Sequence, residues 1–354
     1  MHLFADISSH GLGHLAITAP VLNALAEIAP NFRLTVRSGL PPEKLHERIS
    51  ARFALIAASS DFGYVMHDST RVDLAASAAA YRAAHAGWPR RVTQEAAFLT
   101  GLAPDLVLTN VSYLPLAGAS AAGIPAASLC SLNWADLFTH FFGHEDWAPA
   151  LHREMQAAYQ SARRFLRVTP GMAMPTLTNL QPVGPIAALG NKHDLGLGGD
   201  KAYLVAMGGI AHRLPVENWP RLPGVRWLVP AAWQCTHPDA LPGESFGLSF
   251  TDLLCSVDAV ITKPGYGTFT EAACNGTPVI FQRRADWPEQ QCLIDWLHEH
   301  GRCAEVSAAE LENGQFAIAL AKIQALPEKQ NVIPNGSAQA ARSLYELHGQ
   351  GGNQ

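Results

Sequence analysis

The sequence predicts an α/β protein of two doubly wound, Rossmann-like parallel-sheet domains, and three observations carry that expectation. The chain has 354 residues, more than one hydrophobic core usually supports. Short apolar segments alternate with helical ones along it, the pattern of parallel strands joined by helical crossovers. Each half also holds a strand that runs into a glycine-rich turn opening a helix. The first is Ser8-Ser9-His10-Gly11-Leu12-Gly13-His14; the second is Lys263-Pro264-Gly265-Tyr266-Gly267.

In chain order, a strand at residues 3–7 feeds the first turn. The helix after it continues to about residue 29, with Leu15, Thr18, Leu22, Leu25 and Ala26 along one face. Pro20 lies near its first turns, where a missing N–H costs least. Strands at 33–37 and 53–57 flank a polar helix at 43–50. Residues 59–70 break the pattern in a polar loop holding Asp61, His67, Asp68 and Ser69. Helices at 73–86 and 90–100 meet at Gly87-Trp88-Pro89, which reads either as a helix corner or as the lining of a pocket. A strand at 105–109, a small-residue helix to 122 and a strand at 126–130 follow. Ligands of such sheets bind outside the strand C-termini, so Asn110, Ser131, Asn133, Trp134 and Asp136 are candidate contacts. An amphipathic helix at 147–164 and a strand at 166–169 complete a first domain at 1–188, and the glycine-rich stretch 191–200 is the boundary.

The second domain is expected at 200–334. A strand at 202–207 enters Gly208-Gly209, whose backbone can approach a diphosphate closely, with Arg213 as a charge partner. A strand at 225–229 and a short helix at 250–256 lead to residues 259–282, a strand–turn–helix–strand unit. A helix at 293–301, a strand at 303–306 and two helical pieces at 308–326 follow. Asn335-Gly336 breaks the chain before a terminal helix at 337–348 within a third segment, 335–348, and residues 349–354 are expected to be disordered.

The 259–282 unit organises the chemistry. Gly265 and Gly267 remove Cβ atoms from a turn whose backbone N–H groups converge at a helix start, and Thr268 is a good N-cap, so an anion such as phosphate is the natural guest. Lys263 can neutralise that phosphate or remain solvated. Glu271 lies one helical turn beyond Thr268, placed to accept hydrogen bonds from vicinal ribose hydroxyls, or is simply a solvated surface residue. In the first turn, Gly13 opens a second helix N-terminus. His14 is the candidate catalytic imidazole, kept neutral by the positive helix end. His10 either contacts a substrate or fixes the loop.

The 259–282 stretch resembles the donor-nucleotide motif of GT-B glycosyltransferases of the MurG-like group. Their glycine loop meets a pyrophosphate, a helix Glu meets the ribose, and a following Asp-Gln or Gln-Gln cluster reads the sugar. Here that cluster falls at Asp286-Trp287-Pro288-Glu289-Gln290-Gln291, which makes Glu289 and Gln290 donor-binding candidates; Glu289 stands where Asp is commoner. The His10-to-His14 loop resembles the family's Gly-Gly-x-Gly-Gly-His loop with serines in place of the leading glycines. It is closer still to the Ser-Gly-His-Gly-x-Gly-His loop in the glycosyltransferase-like half of plant L-arabinokinases.

The resemblance implies a GT-B architecture of two Rossmann-like domains facing a central cleft. The donor, a UDP-linked sugar, would be held mainly by the second domain. An unidentified hydroxyl acceptor would be held by His10, Asn110, Asn133 and Trp134 of the first. It implies no cofactor and no metal, and the sequence offers no Asp-x-Asp at a strand end to hold a divalent ion. Two other readings keep the cleft: a nucleotide-sugar hydrolase or epimerase, and a catalytically silent sugar-nucleotide binding module.

Composition sets the remaining bounds. Apolar residues make up 48% and charged residues 16%, as expected of a well-filled fold. A formal charge of −5 gives no electrostatic reason to expect nucleic acid. The six cysteines have no Cys-x-x-Cys spacing and read as core residues of a reducing compartment. No run approaches the length of a membrane span and no basic leader opens the chain, so a cytoplasmic location is expected. Peripheral membrane contact would arise only if the acceptor were a lipid.

Overall fold

The computed structural model describes residues 1–351. The chain divides into two compact units. The first contains Met1–His67, Val72–Ile186 and the residues from Asn335 onward; the second contains Asp68–Arg71 and Ala187–Pro334.

The first unit runs β1 (His2–Ile7), α1 (Gly13–Ile28), β2 (Arg33–Ser38), α2 (Pro42–Arg48), β3 (Phe53–Ala57), α3 (Leu74–His85), α4 (Trp88–Leu102), β4 (Leu106–Asn110), α5 (Leu114–Ala121), β5 (Ala126–Cys130), α6 (Trp134–Phe142), α7 (Ala148–Ser161), β6 (Arg164–Val168) and β7 (Leu180–Val183). Its seven strands form one sheet in the order β3-β2-β1-β4-β5-β6-β7, every adjacent pair parallel. Strands such as β1, β4 and β5 are buried along their whole length, as befits a sheet covered by helices on both faces. Two elements of this unit, and a short strand at 240–242 in the second, went unread in the sequence. Helix α6 is capped by Asn133, whose Oδ1 accepts the Asp136 N–H at 2.8 Å, and β7 occupies a stretch interrupted by Pro182.

The second unit runs β8 (Lys201–Ala206), β9 (Val225–Val229), β10 (Ala240–Pro242), α8 (Phe250–Ser256), β11 (Ala259–Thr262), α9 (Tyr266–Asn275), β12 (Val279–Gln282), α10 (Gln290–His300), β13 (Cys303–Val306), α11 (Ala308–Asn313) and α12 (Ala317–Ala325). Six parallel strands lie in the order β10-β9-β8-β11-β12-β13. One face of this sheet is filled by an aromatic cluster, with Trp219 edge-on to Trp227 at 5.0 Å and to Phe316 at 4.8 Å.

The last helix, α13 (Gly336–Gly351), packs on α1 in the first unit. The Gly184 N–H donates to Gln339 Oε1 at 2.7 Å, the Gly336 N–H to the Pro185 carbonyl at 2.9 Å, and Arg164 to Ser343 Oγ at 2.8 Å. The helix carries Gly349–Gly351, which were expected to be disordered; residues 352–354 lie outside the described residues. Among the described residues no helix is long and apolar enough to cross a membrane.

Strand order reverses between β1 and β4 in one sheet and between β8 and β11 in the other. The crevice of a doubly wound sheet opens at that reversal, outside the strand C-termini. Each unit therefore directs particular loops to one place: those after β1 and β4 in the first, and those after β8 and β11 in the second.

Candidate functional site

In the second unit the reversal brings together Gly208 after β8, Lys263 after β11 and Arg284 after β12. Gly208 has φ +89°, and a Cβ there would lie 3.6 Å from Lys263 Nζ, so the lysine sits against exposed backbone that only glycine forms without strain. Arg284 is 7% exposed and its guanidinium stacks 3.8 Å from the Trp287 ring centroid. Among the described residues its Nε has no hydrogen-bond partner.

Burial, and then the Arg284 charge, push the Lys263 ammonium down to about 7, with Glu289 opposing. Burial also pulls Arg284 down to about 10, against the charges of Glu289 and Asp68. Two cations driven toward neutrality, one with an unused donor, form a site that favours an anion.

Helix α9 begins beside them. It starts at Tyr266 with Gly265 as N-cap, and no side chain caps it. Thr268 is therefore the third helical residue and not the N-cap that its chemistry suggested. Gly265 and Gly267 both lie outside the left-handed region. A Cβ at Gly265 would come within 2.9 Å of Lys263 Nζ, so the lysine ammonium lies directly against this turn. Glu271 is 1% exposed, which removes the solvated alternative.

Three other donor candidates take different places. Arg213 pairs with Glu217 and donates to the Trp233 carbonyl at 3.2 Å, so it is spent on its own loop. Gln290 exchanges hydrogen bonds with the Arg284 main chain, at 3.0 Å and 3.2 Å, and so holds the loop that carries the arginine. Buried Glu289 accepts the Trp287 indole N–H at 3.1 Å. Gly209 is exposed beside Gly208. Arg284 itself went unrecognised in the sequence.

In the first unit, His14 is 7% exposed in the first turn of α1, with Nδ1 2.9 Å from Asn110 Oδ1. Its pKa falls to about 4 because burial disfavours the imidazolium, while Asn110 opposes the shift. The cause is therefore desolvation rather than the helix end. Asn110, 0% exposed, donates its amide to Thr18 Oγ1 at 2.9 Å and to the His14 carbonyl at 3.2 Å. It clamps α1 to β4 instead of facing a ligand. Asn133 is equally buried as the cap of α6, Gly13 stands exposed at the start of α1, and His10 lies edge-on to Trp134 at 5.3 Å.

Next to these residues is a cavity of about 240 Å³ walled by Asp61, Tyr81, Trp88, Arg91, Tyr113 and Trp134, among others. Of the first-unit candidates only Trp134 reaches it, and the Gly87-Trp88-Pro89 corner contributes Trp88. Gly63, also in the wall, has φ +61°, and a Cβ there would meet the His10 ring at 2.7 Å. Gly63→Ala is expected to lower stability by about 1–3 kcal/mol, measurable as a fall in the denaturation midpoint; an unchanged midpoint would show that His10 moves aside freely.

No family model matches the sequence. Over 99% of this chain and 95% of the other, the structure resembles the glycosyltransferase of kitacinnamycin, with a TM-score of 0.63 and 14% identity. The glycosyltransferase VinC in complex with dTDP gives 0.52 at 13% identity over 99% and 95% of the two chains. A UDP-N-acetylglucosamine 2-epimerase gives 0.56 at 13% identity over 99% and 97%. The chain has the GT-B fold. In sequence it is similar to the L-arabinokinase of Arabidopsis thaliana, 23% identical over 96% of this chain and 34% of that protein, so it spans about a third of its relative's length.

Proposed function

We propose that the protein is a glycosyltransferase that moves a sugar from a nucleoside-diphosphate sugar, UDP-linked by preference, to a hydroxyl acceptor without a metal ion. The observation that carries this reading is the pair of buried cations, Lys263 and Arg284, beside the uncapped start of α9 and the exposed backbone of Gly208. Two positive charges and helix amides meet the charge of a leaving diphosphate, the part otherwise taken by a divalent ion. Glu271 holds the ribose and His14 supplies a neutral imidazole on the acceptor side. The likeness to a dTDP-bound glycosyltransferase supports a nucleotide donor. The likeness to a 2-epimerase favours one second reading, in which the same diphosphate cradle serves an epimerase.

The test is a thermal-shift panel of UDP, dTDP, GDP, CDP and ADP, without and with magnesium, followed by turnover of the matching nucleotide sugars. A ligand at about 100 times its dissociation constant adds roughly 2.7 kcal/mol, so a metal-independent shift of several degrees with one nucleotide is expected. Failure of all five to bind would overturn the reading. Release of a 2-epimer, with no transfer to any acceptor, would select the second one. Glu271→Ala is expected to weaken the selected nucleotide by roughly tenfold, and unchanged affinity would remove Glu271 from the ribose site.

A further inference from the structure

The cavity of the first unit holds a group that the sequence reading left without a role. Asp61 is partly exposed as a residue, yet its Oδ1 is shut off from solvent; among the described residues no donor stands in full hydrogen-bonding geometry to it, and the nearby Ser8 and Ser112 hydroxyls favour the carboxylate. Its other oxygen, Oδ2, accepts the Trp134 indole N–H at 2.8 Å. A buried carboxylate oxygen without a donor is costly unless a ligand supplies one. The walls around it are rings: Trp88 and Tyr113 lie 5.5 Å apart, each packed on His85, at 4.9 Å and 5.7 Å, and Trp134 lines the same cavity.

Ring faces match the C–H faces of a sugar, and a carboxylate matches its hydroxyls. A volume of about 240 Å³ is below the roughly 300–1,000 Å³ of pockets for drug-sized ligands. A long or polymeric guest does not fit inside it.

We propose that this cavity binds a compact polyhydroxylated acceptor of monosaccharide size, and that Asp61 takes the proton from its reacting hydroxyl. The proposal deepens the transferase reading and rests on it for the donor. In the step, the Asp61 carboxylate accepts the hydroxyl proton and the acceptor oxygen forms a bond to the anomeric carbon of the nucleotide sugar. The bond from that carbon to the diphosphate oxygen breaks, its electron pair leaves with the nucleoside diphosphate, and Asp61 returns its proton to solvent.

The surroundings suit a base. Burial, and then the Asp6 charge, push Asp61 up to about 6, while Trp134, Ser8 and Ser112 pull it back. The other titratable groups around it include Arg91 and the phenols of Tyr81 and Tyr113 in the cavity wall, the Tyr159 phenol and, across Trp134, His10 and His14. Of these, only His14 has been offered as the base, and it does not line the cavity. The two candidates predict different pH profiles. A base at about 4 leaves activity flat from pH 5 to 8, whereas Asp61 makes kcat/KM rise tenfold per unit below about 6 and level off above it.

The test uses the full chain with Asp61→Asn and Ala84→Phe, the latter placing a ring at the cavity wall. Two readouts are taken: transfer to a panel of monosaccharides and cyclitols, and quenching of tryptophan fluorescence by the same compounds without donor. Expected are a loss of at least about 100-fold in kcat for Asp61→Asn, with nucleotide binding unchanged and an undiminished melting temperature, loss of the acid limb, and loss of quenching in Ala84→Phe. Full activity of Asp61→Asn, or retained quenching in Ala84→Phe, overturns the proposal. If no nucleotide sugar is turned over but quenching occurs and Ala84→Phe abolishes it, the cavity assignment stands and the transferase reading fails.

Discussion

Lys263→Ala and Arg284→Ala are each expected to weaken nucleoside-diphosphate binding by roughly 10- to 150-fold, the equivalent of about 1.5–3 kcal/mol for a hydrogen bond to a charged group. For Lys263 the loss should depend on pH. The ammonium titrates at about 7 because it is buried next to Arg284, and a bound diphosphate favours the protonated form. Above pH 7 the protein must take up a proton to bind, so affinity falls by up to tenfold per unit, and below pH 7 it levels off. Titration calorimetry between pH 6 and 9 checks this, since proton uptake makes the binding enthalpy depend on the buffer. A pH-independent affinity in the unsubstituted protein would mean that Lys263 does not meet the phosphate.

The same titration affects the unliganded fold, because the folded pKa of Lys263 is lower than the unfolded one. Between pH 7 and about 10 the unfolded chain holds a proton on Lys263 that the folded chain lacks, so this group's contribution to stability rises with pH across that range. Lys263→Met should then raise the melting temperature at pH 7 while removing the shift caused by nucleotide. Destabilisation without ligand and stabilisation with it distinguish a binding lysine from a structural one.

The sequence made the two sheets and one side of the anion site legible, and the reasons are local. Gly208, Lys263 and Gly265 follow buried strands directly, so their position at the crevice is implied by strand polarity alone. Arg284 could not be separated from Arg283 in the same way. The two are adjacent and identical, and the structure sends Arg283 out to Glu305 at 3.0 Å and Gln291 at 3.0 Å while Arg284 turns in over Trp287. Asp61 was hidden for a different reason. It lies in a loop without periodicity, and its partner Trp134 is 73 residues away. Helix α6 did leave a trace, because Asn133 followed three residues later by Asp136 is an N-terminal signal. Asn110 and Asn133 were misread because a polar residue after a strand also serves to tie a helix down, and both are buried with their side-chain oxygens engaged.

Arg37→Ala should destabilise the first unit by about 3–5 kcal/mol, the range for removing one partner of a buried ion pair. Arg37 lies near the end of β2 with 7% exposure. Its Nε donates to Asp6 Oδ2 at 2.5 Å, and its terminal nitrogens grip Glu95 at 2.6 Å and 3.1 Å. The guanidinium also lies about 5 Å from the rings of Phe4 and Phe98, at 5.1 Å and 5.2 Å. It joins β1, β2 and α4, and without it two buried carboxylates face each other's field unpaired. Arg37→Lys keeps the charge but not the fork, so it should recover only part of the loss. Calorimetry of the melting transitions checks this; a loss below about 1 kcal/mol would mean that the buried pair adds little to the first unit. The effect reaches the cavity as well. Asp6 is the charge that helps to raise Asp61, and Arg37 is its counterion. A folded Arg37→Lys protein, with a looser hold on Asp6, should therefore carry the acid limb of its activity to higher pH than the unsubstituted enzyme.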